Sequence, residues 1–283
     1  MTIKKYTRKP IRFTGQHFLC DYSLINQLIE TAEIKNSDLV LDIGAGKGAL
    51  TLPLSRKAAR VLAIEQDTRL ACALKERFSK KENVAILEGD FREIQVSDEP
   101  FKVVSNIPYA ITTDIFGRLM DIPSNTFDGG AIVMELRAAR RFTKPVQSNP
   151  RIIGWNTWYD LSIVRSVCRK SFSPPPKVTS AMVKIDRRLK PAVHPDEAGC
   201  YIAFLHFFLN LSQQRAAPAL RNLFTRNQVK RILKDAGIHA QQPVKAMTTS
   251  QWAHCFTIMK KLLPPEVHPT LPGKYKKMFF SGE

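Results

Sequence analysis

The chain has no C-x-x-C pair, and its five cysteines (Cys20, Cys72, Cys168, Cys200, Cys255) are scattered and odd in number. That argues against a disulfide framework and against a zinc or other metal site, and it places the chain in a reducing compartment, the cytoplasm. Long apolar runs are also missing. The longest, YIAFLHFFLNL at 201–211, is too short to span a bilayer and contains His206 and Asn210, so no membrane segment is expected. No apolar signal-peptide core follows the basic start. MTIKKYTRKPIRF would suit a mitochondrial transit peptide, but a motif beginning at Gln16 leaves little to cleave.

Acidic residues are scarce where basic ones concentrate. The first 20 residues hold five basic side chains and no acid, and residues 137–190 hold 13 basic and 2 acidic ones. Residues 61–136, by contrast, hold 8 basic against 13 acidic. The 283 residues carry a net charge of +18, far beyond what solubility requires, and so point to a polyanionic partner. The segregation reads as a neutral-to-acidic catalytic half beside a basic footprint for phosphates.

What is present is a core. Apolar residues make up 44% of the chain. DLVLDIGAG (38–46), RVLAIEQD (60–67), VAILEGDF (84–91), FKVVSNIPY (101–109) and GGAIVMEL (129–136) read as buried strands. LTLPLSRKA, TRLACALKERFSK and TTDIFGRLM leave room for crossover helices between them. This alternation predicts an α/β fold with a parallel sheet and a ligand beyond the carboxyl ends of its strands. Two more strands, DLSIVRSVCRKSF and SAMVKIDRR, flank SPPPK (173–177) as an antiparallel edge pair. From Lys190-Pro191 the pattern is helical, with Ser250 as the expected N-cap of the last helix, and the tail from Pro264 reads as irregular.

LDIGAGKGALT sets Gly44, Gly46 and Gly48 directly after the first of these strands. It is not a Walker A loop, because Ala49 follows Gly48, and its G-x-G-x-G spacing departs from the dinucleotide G-x-G-x-x-G. Glu65 ends the second strand, 21 residues after Gly44, where a carboxylate accepts from ribose hydroxyls. Asp90 and Phe91 end the third, suited to an adenine amine and an adenine face. Together these strand ends outline a pocket for a nucleoside without pyrophosphate, which S-adenosylmethionine fits.

Asn106, Ile107, Pro108 and Tyr109 close the fourth strand. An exocyclic adenine nitrogen is a poor nucleophile, because its lone pair is delocalised into the ring. The Asn106 side-chain oxygen and a main-chain carbonyl near Ile107 would accept its two N–H groups, aim the lone pair and stabilise the developing charge. Pro108 would fix that carbonyl, Tyr109 would stack the base, and Phe172 would cover its other face.

GQHFL (15–19), DIGAGKGALT (42–51), AIEQD (63–67), GDF (89–91), NIPY (106–109) and SFSPPPKVTSAMVKI (171–185), in this order, resemble the rRNA adenine N6-methyltransferases, which comprise the erythromycin-resistance (Erm) enzymes and the KsgA-type dimethylases. NIPYAITTDIF favours the Erm branch. The resemblance implies a class I, Rossmann-like methyltransferase with a seven-stranded, mostly parallel sheet whose last strand is antiparallel, followed by a small all-α C-terminal domain. On that basis residues 1–14 form a basic arm, 15–190 the methyltransferase domain, and 191–283 the helical domain with its tail. It implies an adenine in the peptidyl-transferase region of 23S rRNA as substrate, and resistance to macrolide, lincosamide and streptogramin B antibiotics as the result.

S-adenosylmethionine would contact His17, Leu19, Gly44, Gly46, Glu65, Asp90, Phe91 and Asn106. His17 stands where many relatives carry asparagine. Lys4, Lys5, Arg8, Lys9, Arg12, Arg137, Arg140, Arg141 and Lys144 would grip RNA phosphates, with the chain acting as a monomer. A KsgA-type 16S rRNA enzyme, a DNA N6-adenine methyltransferase and a non-catalytic nucleic-acid-binding factor are the competing readings.

Overall fold

The computed structural model describes residues 16–95, 98–123, 126–271 and Gly273. Its strands are β1 (Phe18–Leu19), β2 (Leu39–Ile43), β3 (Arg60–Glu65), β4 (Val84–Glu88), β5 (Phe101–Asn106), β6 (Phe127–Glu135), β7 (Tyr159–Val167), β8 (Phe172–Ser173) and β9 (Ser180–Arg187). Seven of them form one sheet in the order β4-β3-β2-β5-β6-β9-β7. β9 alone runs opposite to the other six strands, so the expected architecture is met.

β2 buries all five residues of its LVLDI run because it lies inside the sheet, between β3 and β5. β4 corrects the reading of 84–88 as buried. It is the sheet edge, with Ala85, Leu87 and Glu88 exposed, since an edge strand has only one neighbour to cover it. From β2 the chain moves outward through β3 and β4, then returns to place β5 on β2's other side. This reversal is the topological switch point, where a crevice opens beyond the strand ends.

Crossover helices occupy Thr51–Leu54, Thr68–Arg77 and Thr112–Met120, as expected. Three helices escaped the sequence pattern, Leu136–Phe142, Pro150–Trp158 and Tyr22–Thr31. The second carried a local signal, because Asn149 accepts from Arg151 N at 2.9 Å as N-cap and Pro150 fills the first turn. Asp121 anchors this helix to the end of Thr112–Met120. Its carboxylate takes Arg151 Nε at 3.1 Å, Arg151 Nη2 at 2.5 Å and Trp155 Nε1 at 2.9 Å.

Beyond the exposed residues Arg188–Lys190 come helices Ala198–Leu209, Ala216–Leu220, Arg226–Asp235 and Thr249–Leu262. Trp158 meets Tyr201 edge-on at 5.8 Å, and Phe204 meets Phe256 at 5.6 Å. One apolar cluster thus runs from the sheet into these helices. The last helix is capped by Thr248 and not by Ser250. Thr248 Oγ1 accepts from Gln251 N while Gln251 Oε1 accepts from Thr248 N, a reciprocal pair that Ser250 cannot form. Among the described residues no helix is long and apolar enough to cross a membrane.

Candidate active site

A cavity of about 860 Å³ opens at the carboxyl ends of β2, β3, β4 and β5, within the usual range for small-molecule sites. Its floor is the glycine loop. Gly44 and Gly46 have φ of 76° and 57°. A Cβ on Gly46 would lie 2.8 Å from the Phe18 ring, and one on Gly44 3.2 Å from Pro108. Both the backbone conformation and the close approach therefore require glycine.

Glu65 is buried, and both of its oxygens brace the loops around it. Oε2 accepts from Gly46 N at 2.7 Å and Oε1 from Asp67 N at 2.9 Å. Each oxygen keeps a second lone pair for a ligand hydroxyl. Beside it is a carboxylate that sequence reasoning missed. Asp42, at the end of β2, is fully enclosed and accepts from Thr51 Oγ1 at 2.8 Å. Burial pushes its carboxyl up to about 7, opposed by the Thr51 hydrogen bond and reinforced by the charge of Glu65.

From about pH 4 to 7 the folded chain therefore holds a proton on Asp42 that the unfolded chain releases. Asp42's stabilising contribution is complete at low pH and lost as pH rises, by up to about 1.4 kcal/mol per pH unit. Asp42→Asn is expected to flatten this fall, read as urea unfolding free energies at pH 5 and pH 7. An unchanged slope would place the titrating group elsewhere.

Asp90 and Phe91 both line the cavity, but neither is free in the way the sequence suggests. Arg92 forks onto Asp90, with Nε at 2.9 Å and Nη2 at 2.5 Å from Oδ2, and Arg92 N reaches Oδ1 at 2.9 Å. Burial raises the Asp90 carboxyl, yet the hydrogen bonds and charge of Arg92 together hold it below its ordinary value. Asp90 is thus a preset anionic group on the cavity wall, both of whose oxygens already accept from Arg92. Phe91 is buried, with the Arg118 guanidinium 5.6 Å from its ring centre.

Asn106 ends β5 on the cavity wall. Its Nδ2 donates to the His17 carbonyl at 2.8 Å, which determines which end of the amide is oxygen, because a carbonyl can only accept. Asn106 Oδ1 is left buried without a hydrogen-bond partner. A buried unsatisfied acceptor costs about 1–3 kcal/mol, and this one lies on the cavity wall. Ile107 N is tied to Val133 O at 3.1 Å, and Pro108 holds an extended φ/ψ of −61°/121°. Tyr109 follows as the first residue of a short 3₁₀ turn, half-buried, its hydroxyl 2.5 Å from Ser180 Oγ. Burial raises its phenol, which stays neutral and presents a face, not a base.

The near wall is made by chain-distant segments. β1 pairs antiparallel with β8, Phe18 with Ser173 and Leu19 with Phe172. His17 Nδ1–H donates to Pro174 O at 2.8 Å across 157 residues. The His17 imidazole therefore turns to the proline segment, while its carbonyl holds Asn106. Leu19 is buried on the cavity wall. Phe172 corrects the reading that it covers the second face of a base: it is buried in the apolar cluster with Leu19, Ile25 and Val167 and does not line the cavity. Phe18 and Gln16 line it instead, in positions that only the β1–β8 pairing reveals.

Arg137, Arg140 and Arg141 are exposed on helix Leu136–Phe142, with Lys144 exposed just beyond. Arg141 Nη2 donates to Thr113 Oγ1 at 2.9 Å, which brings this basic cluster beside the turn that carries Tyr109. Lys4, Lys5, Arg8, Lys9 and Arg12 lie outside the described residues. Among the described residues no group of three or more His, Cys, Asp or Glu side chains is placed to hold a metal ion.

Residues 8–261 match the family described as ribosomal RNA adenine dimethylase. The chain belongs to that family. It is 41% identical to an rRNA adenine N-6-methyltransferase of Bacteroides fragilis over 95% of this chain and 100% of that one. It is 39% identical to one from Bacillus licheniformis over 93% of each. The crystal structure of the 23S rRNA methyltransferase ErmE superposes with a TM-score of 0.76 at 29% identity, covering 86% of this chain and 99% of that one. The protein is accordingly an S-adenosylmethionine-dependent rRNA adenine N6-methyltransferase. The cavity fits that methyl donor, with a glycine floor, the acceptors Glu65 and Asp90, and the unpartnered Asn106 Oδ1.

Proposed function

We propose that this methyltransferase acts on one adenine in the peptidyl-transferase region of 23S rRNA and thereby confers resistance to macrolide, lincosamide and streptogramin B antibiotics. The observation that carries the reading is Asn106, whose Nδ2 is pinned to His17 and whose Oδ1 is buried and unpartnered beside Tyr109. ErmE, which matches over almost its whole length, supports 23S rRNA as the substrate.

Gly44 and Gly46 would floor the donor's pocket, Glu65 would accept from its ribose hydroxyls, and Asp90 with Phe91 would hold its adenine. His17 and Leu19 close the near wall with their backbone. When bound, S-adenosylmethionine supplies an electrophilic methyl group. Asn106 Oδ1 and the Ile107 carbonyl, held by Pro108, accept the two N–H groups of the target amine. They draw its nitrogen toward tetrahedral geometry and stabilise its growing positive charge. Tyr109 stacks the base. No strong base is needed, because the product ammonium is acidic enough to lose its proton to water.

In this reading the site is formed by one chain, acting as a monomer. Arg137, Arg140, Arg141 and Lys144, with the five basic residues of the N-terminal arm, bind phosphates. Arg140→Ala with Arg141→Ala is expected to lower the salt slope of RNA binding by roughly 1.4, two contacts at about 0.7 each. An unchanged slope would leave these arginines as a solvated face.

The deciding experiment expresses the chain in a susceptible bacterium. The expected outcome is raised erythromycin resistance with a primer-extension stop at a single 23S rRNA adenine. A stop on 16S rRNA instead, with no change in susceptibility, would overturn the 23S assignment.

A further inference from the structure

Tyr22 has no part in the site described above, yet it is 83% exposed and stands two residues from the cavity-lining Cys20. Its side chain has no hydrogen-bond, ion-pair or ring partner among the described residues. The backbone beneath it is nevertheless held firmly. Asp21 caps helix Tyr22–Thr31 through Ser23 N at 3.0 Å and Leu24 N at 3.2 Å, and it accepts from Ser171 Oγ at 2.9 Å. Cys20 N donates to Ser171 O at 3.0 Å. The start of this helix and the turn Arg169–Ser171 are therefore one unit, and Ser173, two residues on, lines the cavity.

Asp21 is the acid of that unit, and its carboxylate is spent on the helix cap and on Ser171. Residues 161–180 contain Arg165, Arg169, Lys170 and Lys177 and no acid. Lys170 and Lys177 are exposed and make no ion pair among the described residues. Asp21 and Cys20 tie the segment that carries the exposed ring to the one that carries these unpaired ammonium groups, which together supply the two components of a single-stranded nucleic-acid platform, a stacking face and phosphate anchors.

We infer that this rim is a second RNA contact: Tyr22 stacks a nucleotide next to the target adenine, and Lys170 and Lys177 hold the adjoining phosphates. The inference rests on the reading that RNA is the substrate. Drawing one base into the cavity breaks its stacking with its neighbours, and a platform at the mouth offsets that loss. The charge favours RNA over a protein partner, which would have to be strongly acidic.

The test uses the full chain and an RNA oligonucleotide of the 23S target loop with 2-aminopurine beside the target adenine. The wild type is expected to change the 2-aminopurine fluorescence on binding. Tyr22→Ala should lose that change and bind about 5- to 150-fold more weakly, the range expected for one lost base stack, while Tyr22→Trp keeps both. Lys170→Ala with Lys177→Ala should lower the salt slope by roughly 1.4. Calorimetric affinity for S-adenosylmethionine should stay at the wild-type value in every variant, which shows the fold intact. Wild-type RNA affinity and fluorescence in Tyr22→Ala would overturn the inference and leave the rim to a protein partner. A wild-type chain that binds this RNA without methylating it overturns the 23S target alone, because the Tyr22 comparison reads binding.

Discussion

Asn106→Ala is expected to slow methyl transfer by about 10²–10³-fold, the usual cost of removing a preorganised group that meets charge developing in the transition state. The Oδ1 acceptor is buried, unpartnered and oriented by the Nδ2 bond to the His17 carbonyl. Alanine removes the acceptor and the tie together. Asn106→Asp separates the two: it keeps an acceptor but turns a carboxylate toward the His17 carbonyl, so an intermediate loss is expected. Single-turnover rates at saturating S-adenosylmethionine are the measurement. A wild-type single-turnover rate in Asn106→Ala, with only a weaker apparent affinity for the donor, would reduce Asn106 to a cofactor ligand.

The second large effect belongs to Tyr109. Tyr109→Ala should lower kcat/KM for RNA by about 5- to 150-fold through loss of one stacking contact, while leaving S-adenosylmethionine affinity near wild type. Tyr109→Phe keeps the ring and loses only the 2.5 Å contact with Ser180 Oγ, so its activity should remain within a few-fold of wild type. Burial keeps the phenol neutral, so no titration of Tyr109 should appear in the rate near neutral pH. Equal losses of RNA turnover and donor affinity in Tyr109→Ala would sink the stacking role and make the residue a wall of the cofactor site.

These two residues also mark how far the sequence was legible. NIPY could be placed at a strand end because a β-branched run stops there and proline follows, and both are local facts. Likewise the glycine loop, Glu65 and Asp90 were readable from their positions after consecutive strands, since in a parallel sheet all such ends converge on one edge. Whether each side chain was free was not readable. Asp90 is forked by Arg92 two residues on, Asp42 is enclosed beside Glu65, and Phe172 packs in the apolar cluster, and residue order alone does not show which way a side chain turns or how deeply it is buried. Ser250 failed as a cap for a similar reason on a smaller scale, because capping is decided by a reciprocal bond and not by residue type alone.

The sequence by itself determined the sheet, the order of the polar strand ends and the sign of the partner's charge, because hydrophobic periodicity, glycine spacing and composition are written into the chain locally. Only the tertiary structure decided which acceptor is left open. The bond that orients Asn106 comes from His17, and His17 is held by Pro174, 157 residues away. Such a contact depends on β1 meeting β8, and pairing between distant segments follows from how the whole chain packs.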